Sequence, residues 1–231
     1  MVRAAGAREL LDGPVPARER AASLGDIDRL NAWFGGYALT LRALRRLAGR
    51  APRGRGLAVL DVGGGAAGFA VRLVRWARRA GLGARVVVVE RDPATLALAR
   101  RACAAYPEIL LVQADATALP FGPGAVDVAI ASLTLHHLEP GDAAACLGAM
   151  AAAARLGVVV NDLLRTRLAL ALVWLATRLL RCHPISRHDG PLSVRRAYSK
   201  EEIAALAARA GLAPLSITEY PAFGRLIAVT A

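Results

Sequence analysis

The stretch Val59 to Ala70, VLDVGGGAAGFA, limits what this chain can fold into more than any other. An apolar run, Leu57 to Leu60, ends in the carboxylate Asp61. Three consecutive glycines follow, and Ala66, Ala67 and Gly68 lead into a helical pattern. Read in order, this is a strand, a tight turn and a helix start. Glycine accepts positive φ and lets the backbone pass close to a ligand, and the first turn of a helix offers unpaired N–H groups. The stretch is predicted to cradle a nucleotide-like cofactor.

The rest of the chain alternates. Leu24, Ile27, Leu30 and Phe34 recur at helical spacing, Gly35–Gly36 break the pattern, and Leu39, Leu41, Leu44 and Leu47 resume it. Pro52 to Gly56 reads as a linker. Beyond the glycine turn, helices are expected over 70–80, from Pro93 to about Ala105, over 142–155, and from Ser199 to Ala210 behind a capping box of Ser199 and Glu202. Strands are expected at 85–90, 109–113, 126–131 and 157–160, with 215–218 and 226–229 as a closing hairpin. The apolar runs are continuous, which suits parallel strands covered on both faces. The expected fold is an open, doubly wound, mostly parallel seven-stranded α/β sheet, helices on both faces, its last strand antiparallel. Residues 1–52 form an N-terminal helical segment and lid, and 53–231 the α/β domain. A helical insertion at about 164–198 completes the cap. Within it, 164–180 is one apolar helix and 182–198 a loop. Residues 1–16, rich in Gly, Pro and Ala, read as a loose end.

Composition removes several function classes. The formal charge is +12, but the excess is arginine spread over many helices, with Lys200 the only lysine. Aromatics are not interleaved with it, so no nucleic acid is expected as partner. Cys103, Cys146 and Cys182 are widely spaced, which predicts free thiols in a cytoplasmic setting and no metal site. No run reaches the roughly 18 uncharged apolar residues that span a bilayer, and the N-terminus has no apolar signal region. The sequence sets no oligomeric state.

Gly63, Gly65 and Gly68 fit GxGxxG, and Glu90 closes the next strand. Alone, that pattern fits a dinucleotide as in NAD(P)-dependent oxidoreductases. The same letters fit a DxGxG turn for S-adenosylmethionine. Asp61 would repel a pyrophosphate but suits the cationic amino-acid end of S-adenosylmethionine. Two further stretches follow in order: Gln113-Ala114-Asp115-Ala116 ahead of Leu119-Pro120-Phe121, and then DVAIASLTLHHL from Asp127 to Leu138. That order resembles the class I, seven-strand S-adenosylmethionine-dependent methyltransferases.

The resemblance implies S-adenosyl-L-methionine as cofactor and a role for each matched residue. Asp61, Gly63 and Gly65 would line its methionine part, and Glu90 would accept from the ribose hydroxyls. Arg91 would flank the adenine, Asp115 and the Ala116 N–H would meet its amino edge, and Ser132 and Leu133 would face the sulfonium. The chain departs from many relatives at Ala67, where they carry glycine. At the ends, Arg29 to Gly36 and Arg187 to Ser199 resemble small methyltransferases encoded beside bacterial type III polyketide synthases. This implies a hydrophobic, phenolic or quinone-like substrate, with oxygen favoured over carbon as acceptor. A catalytically silent S-adenosylmethionine-binding partner is the rival.

Methyl transfer to a phenol gains from a nearby base, and histidine suits neutral pH. His137, at the end of strand four, and His188, in RHDGP, are the candidate bases. His136, Trp33 and Tyr198 are candidate substrate contacts, against a bland reading of each as core, cap or loop residue. Asp127 is expected to make a structural hydrogen bond. The apolar helix at 164–180 would be a buried cap helix, a wall for a greasy substrate, or a peripheral contact with a membrane.

Overall fold

The computed structural model describes residues 1–50, 56–212 and 214–230. The expected linker lies largely outside the described residues, as does the boundary between 52 and 53. Seven strands form one sheet: β1 (Leu57–Val62), β2 (Ala84–Glu90), β3 (Ile109–Gln113), β4 (Val126–Ser132), β5 (Ala154–Leu163), β6 (Leu215–Tyr220) and β7 (Arg225–Thr230). Their spatial order is β3-β2-β1-β4-β5-β7-β6. β1 to β5 pair in parallel, and β7 runs antiparallel to both β5 and β6.

The continuous apolar runs follow from this burial. Val59 packs with Leu44 and Leu73 on one face, and its neighbour Leu60 packs with Leu147, Met150 and Ile203 on the other. Helices α2 (Gly36–Ala48) and α3 (Gly68–Arg79) cover the first face, and α5 (Pro140–Ala153) and α8 (Lys200–Arg209) the second. Helix α4 (Pro93–Cys103) starts with proline in its first turn and Asp92 accepting from the Thr95 N–H at 2.8 Å. The capping box of Ser199 and Glu202 forms as expected.

Three further helices build a cap: α1 (Ala17–Trp33), α6 (Arg167–Leu179) and α7 (Pro184–Arg196). The loop expected at 182–198 is in fact α7. Pro184 occupies its first turn, and Pro191 sits inside it without ending it. Pro191 and Gly190 argued for a loop by local propensity. Tertiary packing overrides them: Gly190 has no side chain to keep Val173 and Thr177 of α6 away, and Ile185, Asp189 and Val194 are buried. The N-terminal segment is not a loose end either. Leu10 and Leu11 donate their N–H groups to the two oxygens of Asp189, each at 2.9 Å, and the Ala4 N–H donates to the Arg195 carbonyl. Nor is α6 a buried cap helix. Its buried residues are Ala169 and Thr177, and most of its leucines are exposed.

Asp127, buried at the base of β4, accepts from the Ala58 N–H of β1 at 2.8 Å and from Arg155 at 2.5 Å. It ties the sheet's central strands together from outside the backbone ladder. Asp127→Ala leaves a strand N–H and a guanidinium without their acceptor and is expected to cost about 2–3 kcal/mol in urea unfolding. Arg155→Ala, at a half-exposed position, should cost less. Equal losses in the two variants would show that the tie carries no strand N–H energy.

Candidate active site

β1 and β4 are sheet neighbours, and the chain leaves them toward opposite edges of the sheet. The crevice at their carboxyl ends is where an open α/β sheet receives ligands. A cavity of about 1150 Å³ opens there, larger than the roughly 300–1,000 Å³ usual for one small-molecule site. It has room for a cofactor and a second ligand together. Its floor is the glycine turn. Gly63 and Gly65 adopt positive φ, 66° and 56°. A side chain on Gly63 would meet Thr134, and one on Gly64 would meet Val88 and Asp61. Ala67 takes φ 63°, the left-handed conformation in which relatives' glycine is at ease, with its methyl wholly buried. The turn therefore keeps its shape without glycine there.

Asp61 is 1% exposed, and its Oδ2 has no hydrogen-bond partner. Burial, and then the nearby Glu90 charge, push its pKa up to about 7. A buried carboxylate beside a ligand cavity with one oxygen unmatched fits a cationic group such as an amino-acid ammonium. Glu90 accepts from the Gly65 N–H at 3.2 Å and the Asp92 N–H at 3.0 Å, and retains lone pairs for hydroxyls. Asp115 binds the Thr117 N–H and hydroxyl through Oδ1, which hold its carboxyl below the usual range. Its Oδ2 lies 3.9 Å from Arg91. Arg91, Asp115, Ala116, Ser132 and Leu133 all line the cavity. The expected cofactor residues thus gather around one space, and their donors and acceptors suit S-adenosylmethionine.

The candidate bases separate. His137 lines the cavity, with Nδ1 3.2 Å from Asp12 and Nε2 3.9 Å from Glu9. His136 lines it too but is buried, its Nδ1 2.6 Å from Asp162 and its Nε2 3.7 Å from Glu9. Asp162 itself is buried in the core. Burial would raise its pKa, but the His136 charge and the bonds from His136 and the Leu163 N–H outweigh this and keep it low.

His188 does not reach the cavity. It is half-exposed, and its ring rests 2.8 Å from Asp189. Tyr198 is core as well: it is 2% exposed and donates to the Leu138 carbonyl at 2.8 Å. Trp33 projects into solvent, 64% exposed, and does not line the cavity. The three residues were assigned from motif position alone; His188 lies on an outer position of α7, and Tyr198 packs inward just beyond the end of that helix.

Sequence reasoning missed three polar groups here. Glu9 and Asp12 come from the Gly/Pro/Ala-rich start, where nothing local marks them. Burial raises the Glu9 pKa despite His137 and Ser193. At Asp12, burial opposes but the His137 and Arg196 contacts prevail, and its carboxyl is held far below the usual range. Arg225 is buried, donates to Asn31 Oδ1 at 2.7 Å, and is pushed down to about 10 by burial. Glu9, His136 and His137 offer ligand atoms within 4.8 Å of one another, as a metal would need. Glu9 Oε1, however, already accepts from the Ser193 hydroxyl at 2.9 Å and faces the Arg196 guanidinium at 3.6 Å. A cation is already supplied there by the chain.

Asp61 carries its folded pKa above the value of 3.8 expected in the open chain. The native state holds the extra proton between the two, so stability falls as pH rises through this window. Relative to Asp61→Asn, the unliganded protein should lose about 4 kcal/mol between pH 4 and pH 7.5, at roughly 1.4 kcal/mol per pKa unit. Urea titrations of both proteins across that range measure it. Parallel pH curves would mean that folding leaves the Asp61 pKa at its open-chain value.

Residues 59–157 match the model of a methyltransferase domain. No curated protein sequence matches the chain significantly. Among solved structures, a Methanococcus maripaludis protein assigned to the S-adenosyl-L-methionine-dependent methyltransferases superposes with TM-score 0.64 at 12% identity, covering 98% of this chain and 97% of its own. The CMeT domain of the citrinin polyketide synthase gives 0.62 at 14% identity over 81% of this chain, which spans 49% of that domain's chain. The pyocyanin biosynthetic protein PhzM gives 0.57 at 23% identity, over 82% of this chain and 54% of its own. The chain thus spans about half the length of the citrinin and pyocyanin proteins. The chain thus shares its seven-strand α/β fold with these methyltransferase structures, and its central stretch, residues 59–157, is similar to a methyltransferase domain.

Proposed function

We propose that the protein is an S-adenosyl-L-methionine-dependent methyltransferase that methylates an oxygen of a hydrophobic small molecule, phenolic or quinone-like and of polyketide type, in the cytoplasm. One observation carries the hydrophobic part. Helix α1 turns its apolar residues Leu24, Ile27 and Leu30 to the cavity and buries polar ones, Arg20, Ser23, Asp26 and Asn31. An apolar helix face normally packs into a core. Here it is left lining an empty-sided space whose rim is Phe34, Leu172 and Phe223. The substrate would supply the missing apolar partner. The polyketide assignment draws support from the resemblance at the chain ends and from the printed names of the citrinin and pyocyanin proteins.

When bound, S-adenosylmethionine supplies a methyl group on a sulfonium, open to in-line displacement. Each step beyond that belongs to the chain. The Asp61 carboxylate would hold the ammonium, and Gly63 and Gly65 would leave space for the amino-acid end. Glu90 would accept from the ribose hydroxyls. Arg91 would flank the adenine, with Asp115 and the Ala116 N–H at its amino edge. Ser132 and Leu133 would face the sulfonium, so alignment would be their contribution. His137 removes the phenol proton, with Asp12 orienting its ring. His136, pinned by Asp162, forms the wall behind.

Calorimetric titration should show S-adenosylmethionine binding and no NAD binding, and NAD alone binding would end this reading. Asp61→Ala should weaken S-adenosylmethionine tenfold or more, through loss of a buried charged hydrogen bond. Turnover of radiolabelled cofactor on alkylated phenols should give an O-methyl product by NMR. His137→Ala should lower kcat by about 10²–10⁴ with the cofactor Kd unchanged. Tight binding without turnover on any acceptor would favour the silent partner.

A further inference from the structure

We propose that α6 and the adjoining cavity rim form a docking surface for an anionic lipid bilayer. Leu168, Leu172, Leu175 and Leu179 follow one another at spacings of four, three and four residues and make one stripe along the helix. In a soluble cap that stripe would face inward. Instead all four are exposed, Leu179 at 71%, with Trp174 beside them at 49%. The inward face of α6 is built from small residues. Ala169 is buried against Gly224, and Val173 and Thr177 lie against Gly190 of α7. Close packing through glycine seats the helix by its small side and leaves its large apolar side outward.

The apolar surface continues past the helix. Phe223 lies against Gly35, and Phe34, Leu172 and Phe223 stand exposed at the mouth of the cavity. Contiguous exposed apolar surface of this kind marks an interaction site.

Charge selects the occupant. From Leu163 to His188 the sequence carries five arginines and no Asp or Glu. Arg167 and Arg181 are exposed at the two ends of the helix, and Arg178 lies over the Trp174 ring at 4.1 Å. Among the described residues none of these three makes an ion pair. Apolar side chains toward acyl chains, with arginine and tryptophan at headgroup depth, fit an anionic interface. A second copy fits less well: a two-fold contact across α6 would bring the arginines of one copy against those of the other. No helix among the described residues is long and apolar enough to cross a membrane, so the contact is peripheral.

The purpose of docking rests on the hydrophobic-acceptor reading. With the rim against the bilayer, a lipophilic acceptor passes from acyl chains to the cavity without crossing water. The docking itself is tested without any substrate. Vesicles of phosphatidylcholine with about one-third phosphatidylglycerol are sedimented with the full chain at low and high salt. Binding is expected at low salt, with a blue shift of tryptophan emission that Trp174→Phe removes. Partitioning should fall at least tenfold on phosphatidylcholine alone and at high salt. The double variant Leu175→Glu/Leu179→Glu alters exposed residues outside the cavity. It should keep its affinity for S-adenosylmethionine, which reports folding, and lose vesicle binding at least tenfold.

No binding of the wild type to anionic vesicles overturns the proposal, as does undiminished binding of the double variant. Self-association by light scattering that the double variant abolishes would also overturn it and give the face to a second copy. Turnover on a short-chain, water-soluble phenol should be the same in both proteins. Its absence would sink the acceptor reading and leave the vesicle result standing.

Discussion

Everything in this molecule depends on the divergence of the chain at β1 and β4. Two neighbouring parallel strands send their continuations to opposite edges of the sheet, so no connection can fill the gap at their carboxyl ends. A ligand fills it instead, and the local backbone is shaped for that. Gly63 and Gly64 have no room for side chains, and Asp61 stands behind them with one oxygen unmatched. The energetic cost of that carboxylate in the unliganded protein is the counterpart of its affinity for a cation. A site preorganised in this way is less stable when empty.

The cap depends on a different principle, a polar seam. Asp26 accepts from Arg29 and from the His183 N–H, both at 2.6 Å, and Ser23 meets Ser186 at 3.0 Å. Asp189 gathers the N-terminal segment onto α7. Arg196 donates to the His136 carbonyl at 3.1 Å and the His137 carbonyl at 2.9 Å. With hydrogen bonds holding the cap helices together, their apolar faces are not consumed in packing. The faces of α1 and α6 remain for a substrate and for an outer surface. Arg29, Asn31 and Asp189, which carried the resemblance at the chain ends, are seam residues: their contacts assemble the cap.

The sheet was legible because its signals are local. Continuous apolar runs, a glycine turn, Pro93 at a helix start and the cap Ser199 each fix a short stretch by themselves, and the cofactor residues follow at strand ends. The cap was less legible because its signals are not local. Gly190 and Pro191 read as a loop until α6 is seen packed against them, and Glu9 has no meaning until His136 and Ser193 stand beside it. His188 and Tyr198 failed as site residues for the same cause: the directions of side chains on α7 and just beyond its end are set by the packing of α6, α1 and the N-terminal segment together. The apolar pattern of α6 was plain, but an apolar stripe does not say which side of a helix finds a partner.

The seam joins parts of the chain that are synthesised far apart in time. Strands β1 to β5 can pair as soon as Leu163 has left the ribosome, and they carry the glycine turn with them. The neighbourhood of His137 cannot close then. Glu9 and Asp12 must wait for Ser193 and Arg196, each pair 184 residues apart in the chain. Contacts of such sequence separation form late. A nascent chain would therefore hold a finished cofactor floor under an open roof until α7 has been made.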